Sequence, residues 1–475
     1  MDVLLCRDCR DLQSNHEDGK YGDESWRRFK DSQDCERLVS RVSQTASMGC
    51  IVCETVVCKF RSLKSDLLAT AQKNGVPVTI RLHIEEYYNT HLQWKEDIDR
   101  PFLRVTISQE EIKFRLWRIS KTQEAHCGVN DHDRGTSSES SFSRAEEWLR
   151  KCMYSHDNCN TVSTLEDWAP SQLLDIGPTT DPFPRTIKLR QTDSWQRSVY
   201  YTTLSHCWGS VQPFKLLKSN LRDLLNGIFI DALPKTFQDA IYVTWRMGIQ
   251  YLWIDSLCIV QDSKEDWNIE SSLMTQVYGR CVLNFAAISA NDCTGGLFQS
   301  RPPSYLGSRF ISVESILDGS KSYYQLWDQS VWPAGFEFAK LNTRAWVMQE
   351  RLLSPRTLGF AKAQLFWECR CNRSSEEFPF GYPSELFERH QRDFLQPGLQ
   401  DKLKTNSLSH HMDSRFEDNH DRRLSLAWHN LVMDYSRKEM TYEQDKLPAI
   451  SGLASLFAQQ RYSLPRWALE VYSPQ

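Results

Sequence analysis

Two short segments concentrate groups able to do chemistry. Ser205-His206-Cys207-Trp208-Gly209 closes an extended run from Tyr200 to Leu204, and Asp255, Ser256, Gln261 and Asp262 follow the apolar run Tyr251 to Ile254. In an open α/β sheet, ligands bind beyond the carboxyl ends of the strands, so Ser205, Trp208, Asp255 and Gln261 stand where a substrate would be held. Asp255 reads equally well as a helix cap or turn residue. Glu270 is the more informative carboxylate. A helix beginning near Asp266 sets Trp267, Glu270, Met274 and Val277 or Tyr278 on one face, which places an acid in an apolar stripe. Such a carboxylate is costly unless it is paired or faces a cleft. Two readings stand: a buried ion pair with an arginine from the Arg344 segment, or an active-site acid with a tuned pKa. His206 and Cys207, as neighbours on an extended strand, point to opposite faces and do not make a nucleophile–base pair.

A second kind of chemistry is metal binding. Cys6-x2-Cys9 and Cys50-x2-Cys53 would supply four thiolates to structural zinc, with His16, Cys35 and Cys58 as further candidates. The 40 residues between the two pairs exceed the spacing of compact fingers, and buried cysteines without a metal are the competing reading. Cys152, His156 and Cys159 form another group at helical spacing, but three candidates without a fourth usually mean packing. No Walker-type phosphate loop, dinucleotide-binding glycine fingerprint or HExxH pair is present.

The elements that must position these residues divide the chain. Residues 1–60 form a cysteine-containing segment, and 61–130 a small antiparallel β region. There Val78, Ile80, Leu82 and Ile84, then Leu103, Val105 and Ile107, then Ile112, Phe114 and Leu116 alternate with polar residues. Residues 131–143 are polar and Ser-rich and read as a linker. Residues 144–199 lead in through a short helix over Ala145–Cys159 and strands near 173–177 and 186–189. The central domain, 200–351, alternates strand and helix. Leu233-Pro234-Lys235-Thr236 opens a helix with Phe237, Ala240, Ile241, Thr244 and Met247 on one face, and a second helix over Asp266–Tyr278 precedes an apolar strand over Cys281–Ile288. This β-α-β-α-β order predicts an α/β fold, a mostly parallel sheet flanked by helices, with a small N-terminal α+β region and a helical C-terminal region. In the extension, 352–475, the charge-rich stretch Glu376–Arg423 has no clear period and is expected to be partly disordered. Helical spacing returns from Leu424 with Trp428, Leu431, Val432 and Tyr435.

Bulk composition excludes several classes. At 475 residues the chain is long enough for two or three domains, and a formal net charge of −4 gives no global reason to expect a nucleic-acid partner. No run approaches the roughly 18 to 20 apolar residues of a membrane-spanning helix, and the first residues lack the apolar core of a signal peptide. These features place the chain in the cytosol or nucleus, and we assign it to the cytoplasm. The 15 cysteines, an odd number without an export signal, are expected to be reduced thiols, some of them metal-bound.

Five ordered blocks resemble the heterokaryon incompatibility (HET) family of fungi. They are Tyr201 to Gly209, Leu233 to Ala240, Tyr251 to Asp262, Glu270 with Met274 and Tyr278, and Arg344-Ala-Trp-Val-Met-Gln-Glu-Arg351. The paired N-terminal cysteines, Trp148–Cys159, Leu358–Cys369 and Asp445–Ala454 also look like the family's flanks. The resemblance implies a role in non-self recognition and regulated cell death after cell fusion, with protein partners in an incompatibility system and homo-oligomerisation. HET domains are remotely similar to TIR domains, whose enzymatic members cleave NAD with a helix-borne glutamate, and Asp266-Trp267 followed by Glu270 has a similar spacing. That similarity implies an NAD glycohydrolase with NAD as substrate, Glu270 at the ribosyl centre, Trp208 or Trp267 stacking on a ring, and Ser205 or Asp255 positioning the sugar. The alternative is a non-enzymatic, self-associating adaptor, in which Arg344, Trp346, Gln349, Glu350 and Arg351 belong to a structural network. After Gly452 the family commonly continues into a β-rich region, whereas Tyr462-Ser-Leu-Pro-Arg-Trp467 leads to Gln475, so either a shortened member or an incomplete gene model is expected.

Overall fold

The computed structural model describes residues 135–160, 168–192, 195, 199–209, 214–301, 310–314, 321–328, 331–382 and 414–459. In the N-terminal part it describes 17–21, 24–28, 35–48, 50, 52–53, 55–57, 65–75, 77–83, 85–87, 102–107 and 110–119. Cys6, Cys9, His16, Cys58 and residues 383–413 of the charge-rich stretch lie outside them.

Two compact units emerge, and neither is continuous in sequence: Met1–His132 joins Pro303–Trp332, and Asp133–Pro302 joins Pro333–Gln475. The first unit carries a six-stranded sheet in which every neighbouring pair is antiparallel. Its order is Phe310–Glu314, Lys321–Asp328, Glu110–Ile119, Phe102–Ile107, Pro77–His83 and Cys35–Leu38. Alternation along these strands buries Val78, Val105, Ile107, Phe114, Leu116 and Leu326. The hairpin that completes this sheet, Phe310–Asp328, is encoded inside the 200–351 span that the alternation of strand and helix marks as the central domain.

The second unit contains the chemistry-bearing segments. Its helices are α1 (Glu139–Ser155), α2 (Leu221–Asn226), α3 (Lys235–Arg246), α4 (Asp255–Cys258), α5 (Lys264–Arg280), α6 (Ala345–Leu353), α7 (Ser414–Tyr435) and α8 (Pro448–Gln459). Its strands are β1 (Gln172–Asp175), β2 (Thr186–Gln191), β3 (Tyr201–Ser205), β4 (Ile228–Phe229), β5 (Tyr251–Trp253), β6 (Leu283–Ala286), β7 (Arg356–Phe360), β8 (Leu365–Cys369) and β9 (Arg373–Ser375). Ser138 caps α1 by accepting from the Ser141 amide at 3.2 Å, so helical order begins inside the 131–143 stretch that composition marks as a linker. The sheet order is β4-β2-β1-β5-β3-β6-β7-β8-β9.

The sheet is mixed, which corrects the expectation of a mostly parallel one. Only the junctions β5–β3, β3–β6 and β6–β7 are parallel, and the other five are antiparallel. The reason lies in the connections. Helices separate β3, β5, β6 and β7 in sequence, whereas β7, β8 and β9 follow one another through short turns that can only reverse direction. The central strands are buried along their whole length, as strands covered on both faces must be.

Within the parallel core the chain passes from β3 to β5 on one side, then back past β3 to β6 and on to β7. That reversal makes the carboxyl ends of β3 and β6 a topological switch point, the place where doubly wound sheets open a crevice. Helix α5 presses Glu270, Met274, Val277 and Tyr278 inward. Helix α8 crosses close to α5 and α6 at Gly452, where a Cβ would fall 2.0 Å from Thr275 Oγ1. Among the described residues no helix is long and apolar enough to cross a membrane.

Candidate functional site

Strand β3 delivers Ser205 and His206 to the switch point, both 2% exposed. The Ser205 hydroxyl exchanges hydrogen bonds with the Asn284 amide on β6, at 3.1 and 3.2 Å, and Thr203 Oγ1 donates to Asn284 Oδ1 at 2.9 Å. Asn284 therefore locks the two parallel strands together beneath the site. Gly209 closes the loop at φ +67°, and a Cβ there would lie 2.4 Å from the Asp292 side chain, so the loops after β3 and β6 approach more closely than any other residue allows.

Strand β5 delivers Asp255 at the start of α4. One carboxylate oxygen accepts from the Ser256 amide at 2.7 Å, the local turn bond expected of an aspartate here. The other accepts from Trp208 Nε1 at 2.9 Å, which joins the two sequence segments. His206 Nδ1 lies 3.8 Å from Asp255. The His206 ring meets Phe237 edge-on, and its Nε2 is buried without a hydrogen-bond partner among the described residues. Burial holds His206 below its ordinary pKa, against the pull of Asp255 in the other direction. Trp208 is half-buried and carries the Lys215 ammonium 5.1 Å from its ring centre.

Helix α6 supplies the acid that sequence reasoning assigned to structure alone. Glu350 is 6% exposed, and burial pushes its carboxyl up to about 7. The Ser205 hydroxyl and the Arg344 charge pull it down again, Asp255 raises it, and the Tyr278 hydroxyl lowers it. Tyr278 itself is pushed well above the ordinary tyrosine range, first by burial and then by the Glu350 and Asp255 charges. Arg344, at the N-cap of α6, donates to the His206 carbonyl and so ties this helix to β3. Ser205, Asp255, Tyr278, Arg344 and Glu350 thus form one electrostatic group, drawn from β3, α4, α5 and α6.

The remaining sequence candidates lie on α5, in the loop after α4 and on α6. Glu270 is 1% exposed on the inner face of α5, with its charge felt by the buried Cys258 thiol near Asp255. Trp267, one turn earlier, is half-buried. Gln261 is committed to its own loop: its Nε2 donates to the Asp255 and Ile259 carbonyls at 3.1 and 3.0 Å. Trp346 donates to Asp445, and Gln349 Oε1 accepts from the Gly452 amide at 3.0 Å, so both brace the C-terminal helices. Arg351 and Arg373 share Glu368 in a buried network.

For metal, Cys50 and Cys53 are buried, while their expected co-ligands Cys6 and Cys9 lie outside the described residues. The other group gains the member that its spacing could not provide. Cys369, 213 positions beyond His156, joins Cys152, His156 and Cys159, and the donor atoms of all four lie within 4.8 Å of one another, so this cluster could hold a metal ion.

Comparisons with curated proteins and with solved structures return no match. Residues 201–350, from the first residue of β3 to the Glu350 carboxylate, match the family model described as heterokaryon incompatibility protein (HET).

Proposed function

We propose that the chain is an effector of fungal heterokaryon incompatibility that promotes regulated cell death, and that its switch-point site hydrolyses the nicotinamide–ribose bond of NAD. The observation that carries the chemistry is a buried acid poised near neutrality, Glu350, beside Ser205 and Asp255 at the carboxyl ends of parallel strands. In the reaction the C1′–N bond breaks with its electron pair leaving on nicotinamide, water adds to C1′, and the water proton passes to a base. Glu350 suits the base, since a carboxyl near pH 7 accepts a proton and releases it again. Glu270 is the side chain assigned to the oxocarbenium-like ribosyl centre, with Trp208 or Trp267 stacking on a ring and Ser205 or Asp255 holding ribose hydroxyls.

The adaptor reading has its own supporting observation. Ser205, His206, Glu270 and Glu350 are all at most 6% exposed, and Gln349 and Arg351 are spent on contacts within the chain, as a structural polar network would be. Incubating purified protein with NAD, dilute and under crowding, separates the two. The enzyme reading expects ADP-ribose and nicotinamide from the parent and none from Glu270→Gln or Glu350→Gln of matched far-UV circular dichroism. Equal turnover by parent and variants overturns the assigned roles, and no turnover in any condition leaves the adaptor.

A further inference from the structure

We propose that Cys152, His156, Cys159 and Cys369 bind one zinc ion that fastens helix α1 to strand β8 of the mixed sheet. The ligands come from three elements. Cys152 and His156 stand one turn apart at the end of α1, Cys159 closes the 3-10 turn Asp157–Cys159, and Cys369 ends β8. Zinc–sulfur and zinc–nitrogen bonds of about 2.3 and 2.05 Å at a tetrahedral angle place a sulfur and a nitrogen about 3.6 Å apart. His156 Nδ1 and Cys369 Sγ are 3.5 Å apart. All three thiols are buried and none is in a disulfide, so a cross-link within the cluster does not explain its compactness.

An independent observation is the charge set against the cluster. Arg356 is 5% exposed, and its Nε donates to Cys152 Sγ at 3.2 Å. Its other partners among the described residues are the carbonyls of Val282 and Cys159 and the Asn160 amide oxygen, all neutral. A buried guanidinium with only neutral partners is expensive, because nothing offsets its desolvation. A zinc centre with three thiolates and one neutral imidazole carries one net negative charge, which Arg356 would balance while hydrogen-bonding a ligand sulfur, the usual arrangement around such sites. Three soft thiolates with one imidazole and no further donor position suit a closed structural zinc site rather than an open catalytic one. Binding releases the three thiol protons to solvent.

Cys371 sets the sharpest internal control, since it is exposed and its Sγ lies 3.6 Å from that of Cys159. The full-length protein, purified reduced from zinc-supplemented medium, is assayed for metal by inductively coupled plasma mass spectrometry. Cys369→Ser is expected to hold one zinc fewer per chain than the parent, and Cys371→Ser the same number as the parent. Equal zinc in parent and Cys369→Ser overturns the proposal, as does loss of the ion in Cys371→Ser alone. Should Cys369→Ser not fold, cobalt substitution decides. The parent is expected to show tetrahedral d–d bands and thiolate charge transfer, and His156→Cys to gain about one third in charge-transfer intensity, from three thiolates to four. A His156→Cys spectrum identical to the parent's overturns the assignment.

Discussion

At the scale of single residues, the site is governed by what burial does to charge. Glu350 has its carboxyl raised from 4.5 to about 7, so the folded protein holds a proton there that the unfolded chain has released. Its stability contribution is full below the unfolded value and is lost as pH rises through the folded one, between about pH 4.5 and 7. His206 runs the other way: its lowered value makes the folded state more stable as pH rises. Comparing parent with Glu350→Gln isolates the glutamate, because His206 is common to both. The midpoint of thermal unfolding, followed from pH 5 to 8, is expected to favour the variant increasingly toward pH 8, by a few kcal/mol at most. Parallel curves would remove Glu350 as the titrating group. Asp255 supports the site differently, through the Ser256 amide and the Trp208 indole. Asp255→Ala leaves both donors without that partner and is expected to cost about 1 to 3 kcal/mol in urea unfolding. In the sequence Glu350 reads only as a member of the structural network with Arg344, Trp346 and Gln349, and Cys369 carries no signal as a metal ligand. Each is far along the chain from the groups it faces, and spacing reports only neighbours on the same element.

At the scale of elements, helix packing decides where those groups can stand. Gly452 lets α8 approach α5 and α6, because any Cβ would lie 2.0 Å from Thr275 Oγ1 and 2.8 Å from Gln349 Oε1. Gly452→Ala is expected to destabilise by about 1 to 3 kcal/mol through overpacking, and adding Thr275→Ala is expected to recover part of that loss. A double-mutant cycle by chemical denaturation checks it: strict additivity would mean that the contact does not set the cost. The legible part of the fold was local. The face of α5 that carries Glu270, Met274, Val277 and Tyr278 follows from helical spacing, and all four are buried. The parallel core follows from strands separated by helices. The antiparallel wings were missed because β8 and β9 are short and buried on every residue, which erases the alternation that marks a strand. Only the shortness of the turns between β7, β8 and β9 betrays their direction.

At the scale of the molecule, sequence order and spatial order disagree at one place. The matched span 201–350 contains the hairpin Phe310–Glu314 and Lys321–Asp328, which pairs with Glu110–Ile119 in the other unit's sheet. The sequence does not encode this legibly, since a hairpin's alternation says which residues are buried but not against which sheet. The consequence is that the N-terminal sheet cannot be completed until residues far downstream have been synthesised, and until then the ten-residue strand Glu110–Ile119 presents an open edge. Leu326, opposite Leu116, is 1% exposed. Leu326→Ala is expected to cost about 2 to 5 kcal/mol of the first unit's stability. Each unit has its own core, so hydrogen exchange should show the loss at amides of Pro77–His83, Phe102–Ile107 and Glu110–Ile119, with little change in Tyr251–Trp253 and Leu283–Ala286. Equal acceleration in all five strands would show that the hairpin insertion couples the units into one cooperative body. In that case, deleting Phe310–Asp328 would unfold the second unit together with the N-terminal sheet.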